Sequence, residues 1–267
     1  MKLDPSKHYR MPLLLGPMFD YRKIPRLSYP EIDVVAYQYL TQAEALESAL
    51  PECFQPTDEP MVTVFFSQYN GLEFMGGGGY RTATFQVAAR FDGEKDHVDG
   101  DFILVMFEDK TWPILGGRED LGVPKLYADI SPMKKFDDGR VRVEASLWGH
   151  LLFRLEVDRL RSQPGIVRAV ATRRINARPW LGYKYIPSLD GPPDANYPTY
   201  TKNDTKIDKL WFGKTGDVKF GNAGMEDIGN VKTLMDALKT LNVVKPIQVL
   251  RFQGSTTLRY DQSRRLR

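Results

Sequence analysis

A single cysteine, Cys53, among 267 residues leaves nothing for an intramolecular disulfide to join, so the chain suits a reducing compartment and a cytoplasmic protein is expected. Histidine is almost as scarce. His8, His97 and His150 stand far apart, with no cysteine or paired carboxylate at ligand spacing, so no metal site is expected. Long apolar runs are missing too: the opening MKLDPSKHYRMPLLLG holds only the short stretch Met11 to Leu15, less than a signal-peptide core, and nothing approaches a membrane span. Net charge is small, 37 Lys+Arg against 34 Asp+Glu for a formal +3, which argues against a dedicated nucleic-acid binder. The one basic cluster, Arg264-Arg265-Leu266-Arg267, reads as a solvated, frayed terminus. No Gly-x-Ser-x-Gly elbow is present, and Cys53 lacks a histidine partner and reads as a packing residue. The run Gly76 to Gly79 is not followed by Gly-Lys-Ser/Thr and leads into a strand, so it is a hairpin or a close approach of backbones, not a phosphate loop.

What is there supports one sizeable core: 42% hydrophobic and 12% aromatic residues, without an internal repeat or a convincing linker, predict a single domain over 1–267. The first forty residues are rich in proline and tyrosine and read as an extended N-terminal arm, 1–40. Thr41 to Leu50 reads as a short helix with a Thr41/Glu44 capping box and a stop at Pro51. Strand character follows at Met61 to Tyr69, Tyr80 to Phe91, Asp101 to Phe107, Val141 to Leu147, Leu151 to Val157 and Ile166 to Ile175. Ala177 to Lys206, with five prolines, reads as a long surface connection. Asp227 to Leu241 carries an apolar stripe at helical spacing, and Ile247 to Tyr260 closes the chain as a strand. The fold class is therefore α+β and β-rich, with a closed or strongly curved antiparallel sheet.

The informative segment runs Trp112-Pro-Ile-Leu-Gly-Gly-Arg-Glu-Asp-Leu-Gly-Val-Pro-Lys-Leu-Tyr127. It sets Lys125 behind a proline, between Val123 and Leu126. Such a lysine is either a surface residue with a snorkelling stem or a desolvated amine. Desolvation disfavours the ammonium and prepares an uncharged amine to attack a carbonyl.

The same segment, Gly117-Arg118-Glu119-Asp120-Leu121-Gly122-Val123-Pro124-Lys125, resembles the Gly-Arg-Glu…Pro-Lys signature of acetoacetate decarboxylase-like enzymes. Leu50-Pro51, Glu59-Pro60-Met61-Val62 and Gly100 to Met106 extend the similarity over roughly residues 33 to 150. The resemblance implies a cone-shaped, mostly antiparallel β-barrel wrapped by further strands and a few helices, assembled as a homo-oligomer. It implies chemistry without cofactors, through an imine between Lys125 and a ketone. The departures are specific. The second lysine of true decarboxylases is Leu126 here, their acidic positions on the two preceding strands are Phe65 and Thr82, and their N-terminal arginine falls at Ser28 in strict register or Arg26 with a shift.

Three functions follow from this. The first is an aldolase-dehydratase that condenses pyruvate with an aldehyde, or runs in reverse. The second is a β-keto acid decarboxylase using the same lysine, and the third a small-carbonyl binder without turnover. For the first, Lys125, Glu119 and Tyr80 are the catalytic candidates, and Arg118, Gln68, Thr82, Gln86, Phe65 and Met106 the substrate-contacting ones. The expected partners are a small oxo acid and an aldehyde, with no nucleic acid and no membrane.

Overall fold

The computed structural model describes residues 3–7, 9 and 24–267. In chain order it forms β1 (Arg26–Leu40), α1 (Ala43–Ala49), β2 (Phe54–Pro56), β3 (Met61–Leu72), β4 (Gly78–Asp92), β5 (His97–Glu108), α2 (Thr111–Gly116), β6 (Lys125–Tyr127), β7 (Asp129–Ile130), β8 (Lys134–Lys135), β9 (Val141–Leu147), β10 (His150–Val157) and β11 (Arg161–Ser162). Then come α3 (Gly165–Ala177), β12 (Trp180–Ile186), β13 (Ala195–Gly213), β14 (Gly216–Phe220), α4 (Met225–Ile228), α5 (Val231–Lys239) and β15 (Lys245–Arg265). Among the described residues, no helix is long and apolar enough to cross a membrane.

Strand pairing runs β4–β3–β1–β15–β13–β12–β5, and β4 pairs again with β5, so seven strands return upon themselves. Every step of this ring is antiparallel except the short β12–β5 contact. Closure leaves the ring without an open edge. A second sheet, β14–β10–β9–β7 with β8 on β9, packs outside it.

Alternation along each strand sends side chains to two cores. Tyr29, Val34, Phe65, Met106, Ile207 and Phe252, drawn from β1, β3, β5, β13 and β15, gather on the face turned into the ring. Phe66, Phe85 and Phe107 face the other way and meet Phe153 of the second sheet, with Phe85 and Phe153 ring centroids 4.9 Å apart. Met235 and Leu238 of α5 complete that outer core.

Several expectations are revised. Of the expected arm, residues 1, 2, 8 and 10–23 lie outside the described residues, while Arg26–Leu40 is a ring strand between β15 and β3. Its pattern Val34, Val35, Ala36, Tyr37 is buried on both faces and so shows no alternation to read. Ile166 to Ile175 is helical. Its β-branched residues suggested a strand, yet Val167, Ala171 and Ile175 recur every fourth residue and all pack on the ring-facing core.

Ala177 to Lys206 is mostly β12 and β13, and Pro198 is tolerated inside β13 opposite Tyr183. The Asp227 to Leu241 helix is two, broken at Gly229, whose φ of 56° is left-handed. Gln42, not Thr41, caps α1, without a side-chain bond. The basic tail is docked. Leu266 is buried, Arg264 pairs with Asp96 at 2.8 Å, and Arg265 lies over the Tyr197 ring. Cys53 is exposed and does not serve packing. Gly79 is the close approach expected of the glycine run, since a Cβ there would lie 1.9 Å from the Tyr69 carbonyl oxygen.

Candidate active site

Apolar β5 ends at Glu108, and the chain then turns through α2 and a wide helical turn over Gly117–Leu121 before Gly122, at φ 71°, reverses it. A wide turn of this kind inside a helix is frequently found at functional sites. Pro124 fixes the approach to β6, which pairs in parallel with β5 so that Lys125 lies beside Met106. Sequence neighbours are thereby folded back, and Lys125 returns to the end of the strand that carries Glu108.

Lys125 is only 8% exposed. Its Nζ donates to Glu108 Oε1 at 2.7 Å and to the Pro113 carbonyl at 3.0 Å. Glu108 is completely buried, and its Oε2 has no hydrogen-bond partner among the described residues. Burial pushes the Glu108 carboxyl above the usual glutamate range, opposed by the charge and hydrogen bond of Lys125. Gly117 makes room for the lysine stem: a Cβ there would lie 2.3 Å from Lys125 Cε. The Arg118 guanidinium donates to the Lys125 carbonyl at 3.0 Å and so holds the backbone of β6.

Three phenols stand nearby on the ring face. Tyr29, Tyr69 and Tyr80 are buried in mutual edge and tilted contacts, with the Tyr80 hydroxyl donating to that of Tyr29 at 3.3 Å. Burial, reinforced by the Glu108 charge, drives all three above the ordinary tyrosine value, so they keep their protons. In front of Lys125 lies a cavity of about 40 Å³, walled by Leu27, Tyr29, Phe74, Trp112, Leu258 and Tyr260. That is room for a few waters. Among the described residues lining it, Lys125 is the only cation.

A larger groove of about 640 Å³ lies elsewhere, between Arg90, His97, Tyr200 and Arg264. It offers no buried nucleophile, and its arginines are taken up by Asp99 and Asp96, each at 2.8 Å. Among the described residues, no three His, Cys, Asp or Glu side chains converge to hold a metal.

The remaining sequence candidates divide. Tyr80 stands behind Tyr29. Thr82, Gln86, Phe65 and Met106 are buried, with Phe65 and Met106 in the ring-facing core and Thr82 opposite Glu108 in the β4–β5 register. Arg118 is exposed and acts through the backbone. Glu119 is half-buried and does not line the cavity, and its backbone carbonyl accepts from Lys184 Nζ. Gln68 shares the parity of Val64 and Phe66, facing away from the ring interior, with its amide 3.5 Å from Asn70. Arg26 is occupied by Asp261 at 3.2 Å.

Sequence reasoning missed Glu108. The signal was present: two residues after Met106 on one strand, it must share the face of Met106. A strand reading that stopped at Phe107 left it in the following turn.

A lysine withdrawn from water, bonded to a buried carboxylate at the end of a small aromatic cavity, marks a lysine-centred enzyme site built on a closed antiparallel ring. The chain belongs to the acetoacetate decarboxylase (ADC) family, whose model matches residues 10–264. An acetoacetate decarboxylase from Burkholderia cenocepacia (strain HI2424) is 29% identical over 218 residues, 78% of each chain. The structure of acetoacetate decarboxylase from Legionella pneumophila superposes with a TM-score of 0.73 at 22% identity, over 91% of this chain and 87% of that one. The enduracididine biosynthesis enzyme MppR, complexed with the condensation product of pyruvate and imidazole 4-carboxaldehyde, superposes equally well, with a TM-score of 0.73 at 18% identity over 98% and 97% of the two chains.

Proposed function

We propose that this protein is an imine-forming carbon–carbon lyase for small oxo acids, and specifically an aldolase-dehydratase that joins pyruvate to an aldehyde or splits the product in reverse. The observation that carries the reading is the Lys125 amine, 8% exposed and bonded to the Glu108 carboxylate and the Pro113 carbonyl. An amine so placed costs the fold solvation and is retained for its chemistry. Condensed with the ketone of pyruvate it gives an imine, which stores a neighbouring carbanion as an enamine. The enamine adds to an aldehyde, and loss of water yields an unsaturated 2-oxo acid.

The choice of aldol chemistry over decarboxylation rests on the surroundings. The ring-facing positions Phe65 and Thr82 carry no charge, and Leu126 packs on the outer core, away from the cavity. No second cation stands among the described lining residues to receive a β-keto carboxylate. MppR, bound to a pyruvate–aldehyde condensation product on the same fold, supports the same choice.

The test is to supply pyruvate with an aromatic aldehyde in one assay and acetoacetate alone in another. The conjugated product is read by absorbance and carbon dioxide by release. The reading expects Lys125-dependent absorbance and no carbon dioxide. Carbon dioxide release that disappears in Lys125→Ala, without condensation, replaces it with β-keto acid decarboxylation.

A further inference from the structure

We propose that Glu108 is the acid–base residue of this site, exchanging protons first with Lys125 and then with the carbon next to the imine. The inference rests on the imine reading above and extends it to the proton transfers. Its ground is geometric. One carboxylate oxygen touches the reacting nitrogen at 2.7 Å, and the other is buried with no hydrogen-bond partner among the described residues. Of the groups bonded to Lys125 Nζ, the Pro113 carbonyl only accepts, whereas Glu108 both accepts and returns a proton.

The alternatives are less able. Tyr80 and Tyr29 are bonded to each other, and burial keeps both protonated, so neither is a base in the resting site. Glu119 meets Lys184 through its backbone carbonyl, whereas the carboxylate bonded to Lys125 Nζ is that of Glu108. The charged and titratable groups facing Glu108 are Lys125 on β6, Tyr29 on β1, Tyr69 on β3, Tyr80 on β4 and Asp109 in the following turn. Lys125 alone of these favours the charged carboxylate. Burial favours the neutral acid and Lys125 the charged carboxylate, opposed influences on one group that suit an acid that must both take and give a proton.

The steps balance. A proton passes from the Lys125 ammonium to Glu108, and the free amine forms a C–N bond to the oxo carbon. Glu108 protonates the carbonyl oxygen and recovers a proton from nitrogen, giving a neutral carbinolamine. Glu108 then protonates the departing hydroxyl; water leaves, and an iminium faces a carboxylate. That carboxylate removes a proton from the methyl carbon, two bonds from Nζ, and the C–H electrons become the enamine double bond. When the enamine attacks the aldehyde carbon, Glu108 returns the proton to the new alkoxide. A second round, removing one of the two remaining α-protons and protonating the hydroxyl, expels water.

The experiment separates imine formation from proton abstraction. Wild type, Lys125→Ala and Glu108→Gln are given saturating pyruvate in deuterium oxide, and loss of the methyl proton signal is followed by NMR. Parallel samples are reduced with borohydride and weighed intact, with circular dichroism for fold. Wild type is expected to label and to exchange. Glu108→Gln, nearly isosteric, is expected to label on long incubation but to exchange at least about 100-fold more slowly. Exchange at the wild-type rate in folded Glu108→Gln overturns the assignment. Should that variant not fold, Glu108→Asp decides: it keeps the charge but withdraws it by one methylene, and exchange reduced about tenfold or more with labelling intact supports the proposal, whereas unchanged exchange overturns it. Failure of wild type itself to label removes the imine, and the parent reading falls first and takes this one with it.

Discussion

Gly117 and Lys125 occupy one space: the position where residue 117 would carry a Cβ is 2.3 Å from Lys125 Cε and 2.8 Å from Nζ. The signature glycine is thus a void kept for the Lys125 side chain. Gly117→Ala is expected to displace the lysine, a flexible group that yields cheaply, so folding persists while covalent capture of pyruvate falls at least about tenfold. Thermal melting beside adduct mass checks both halves. Capture at the wild-type level shows that the lysine has other room.

Glu108 and its proton give a pH signature. Because burial raises its folded-state pKa, the folded protein holds a proton that the unfolded chain has released. Stability from this group is therefore present at acid pH and is lost as pH rises from the ordinary glutamate value, about 4.3, through the raised one. Asp101, buried beside Arg178, is shifted the same way, so the wild-type curve alone mixes the two. The melting-temperature difference, wild type minus Glu108→Gln, isolates Glu108. It is expected to shrink as pH rises across that window; a difference that grows means an ionised Glu108 held by Lys125.

Leu126 packs against the outer core while Lys125, its neighbour on β6, lines the cavity. A second lysine at this position points away from the first. Leu126→Lys is expected to cost about 1–3 kcal/mol in chemical denaturation and to give no release of carbon dioxide from acetoacetate. New decarboxylation in this variant contradicts the separation of the two faces.

The ring depends on β1, and Asp33 ties that strand to β15. Arg251, 8% exposed, donates to its two carboxylate oxygens at 2.9 and 2.6 Å, and Gln253 adds a bond at 2.7 Å. Asp33→Ala leaves the arginine uncompensated. A loss of about 2 kcal/mol in urea unfolding is expected, below the full cost of a buried pair because Asp33 keeps some solvent contact.

Legibility followed the range of the interactions. β9 was readable to the residue because Val141, Val143, Ala145 and Leu147 alternate with polar neighbours on a half-solvated sheet. β1 was not, since a strand buried on both faces carries no alternation, and Pro30 within it and Pro25 before it pointed to an arm. α3 was obscured by β-branched residues that pack at helical spacing only once β13 is beneath them. At the site, Lys125 could be singled out from its local segment. Glu108 becomes its partner only through the parallel β5–β6 contact, and Glu119, the acid of the Gly-Arg-Glu signature, is an acid–base candidate by sequence although the turn directs its backbone to Lys184.

The most direct measurement is peptide mapping of the protein after incubation with pyruvate and borohydride. Reduction fixes an imine as a stable secondary amine. The account expects one pyruvate-derived adduct, on Lys125, absent from Lys125→Ala. Folded protein that remains unlabelled, or that carries its adduct on another lysine, contradicts the claim that Lys125 is the imine-forming residue.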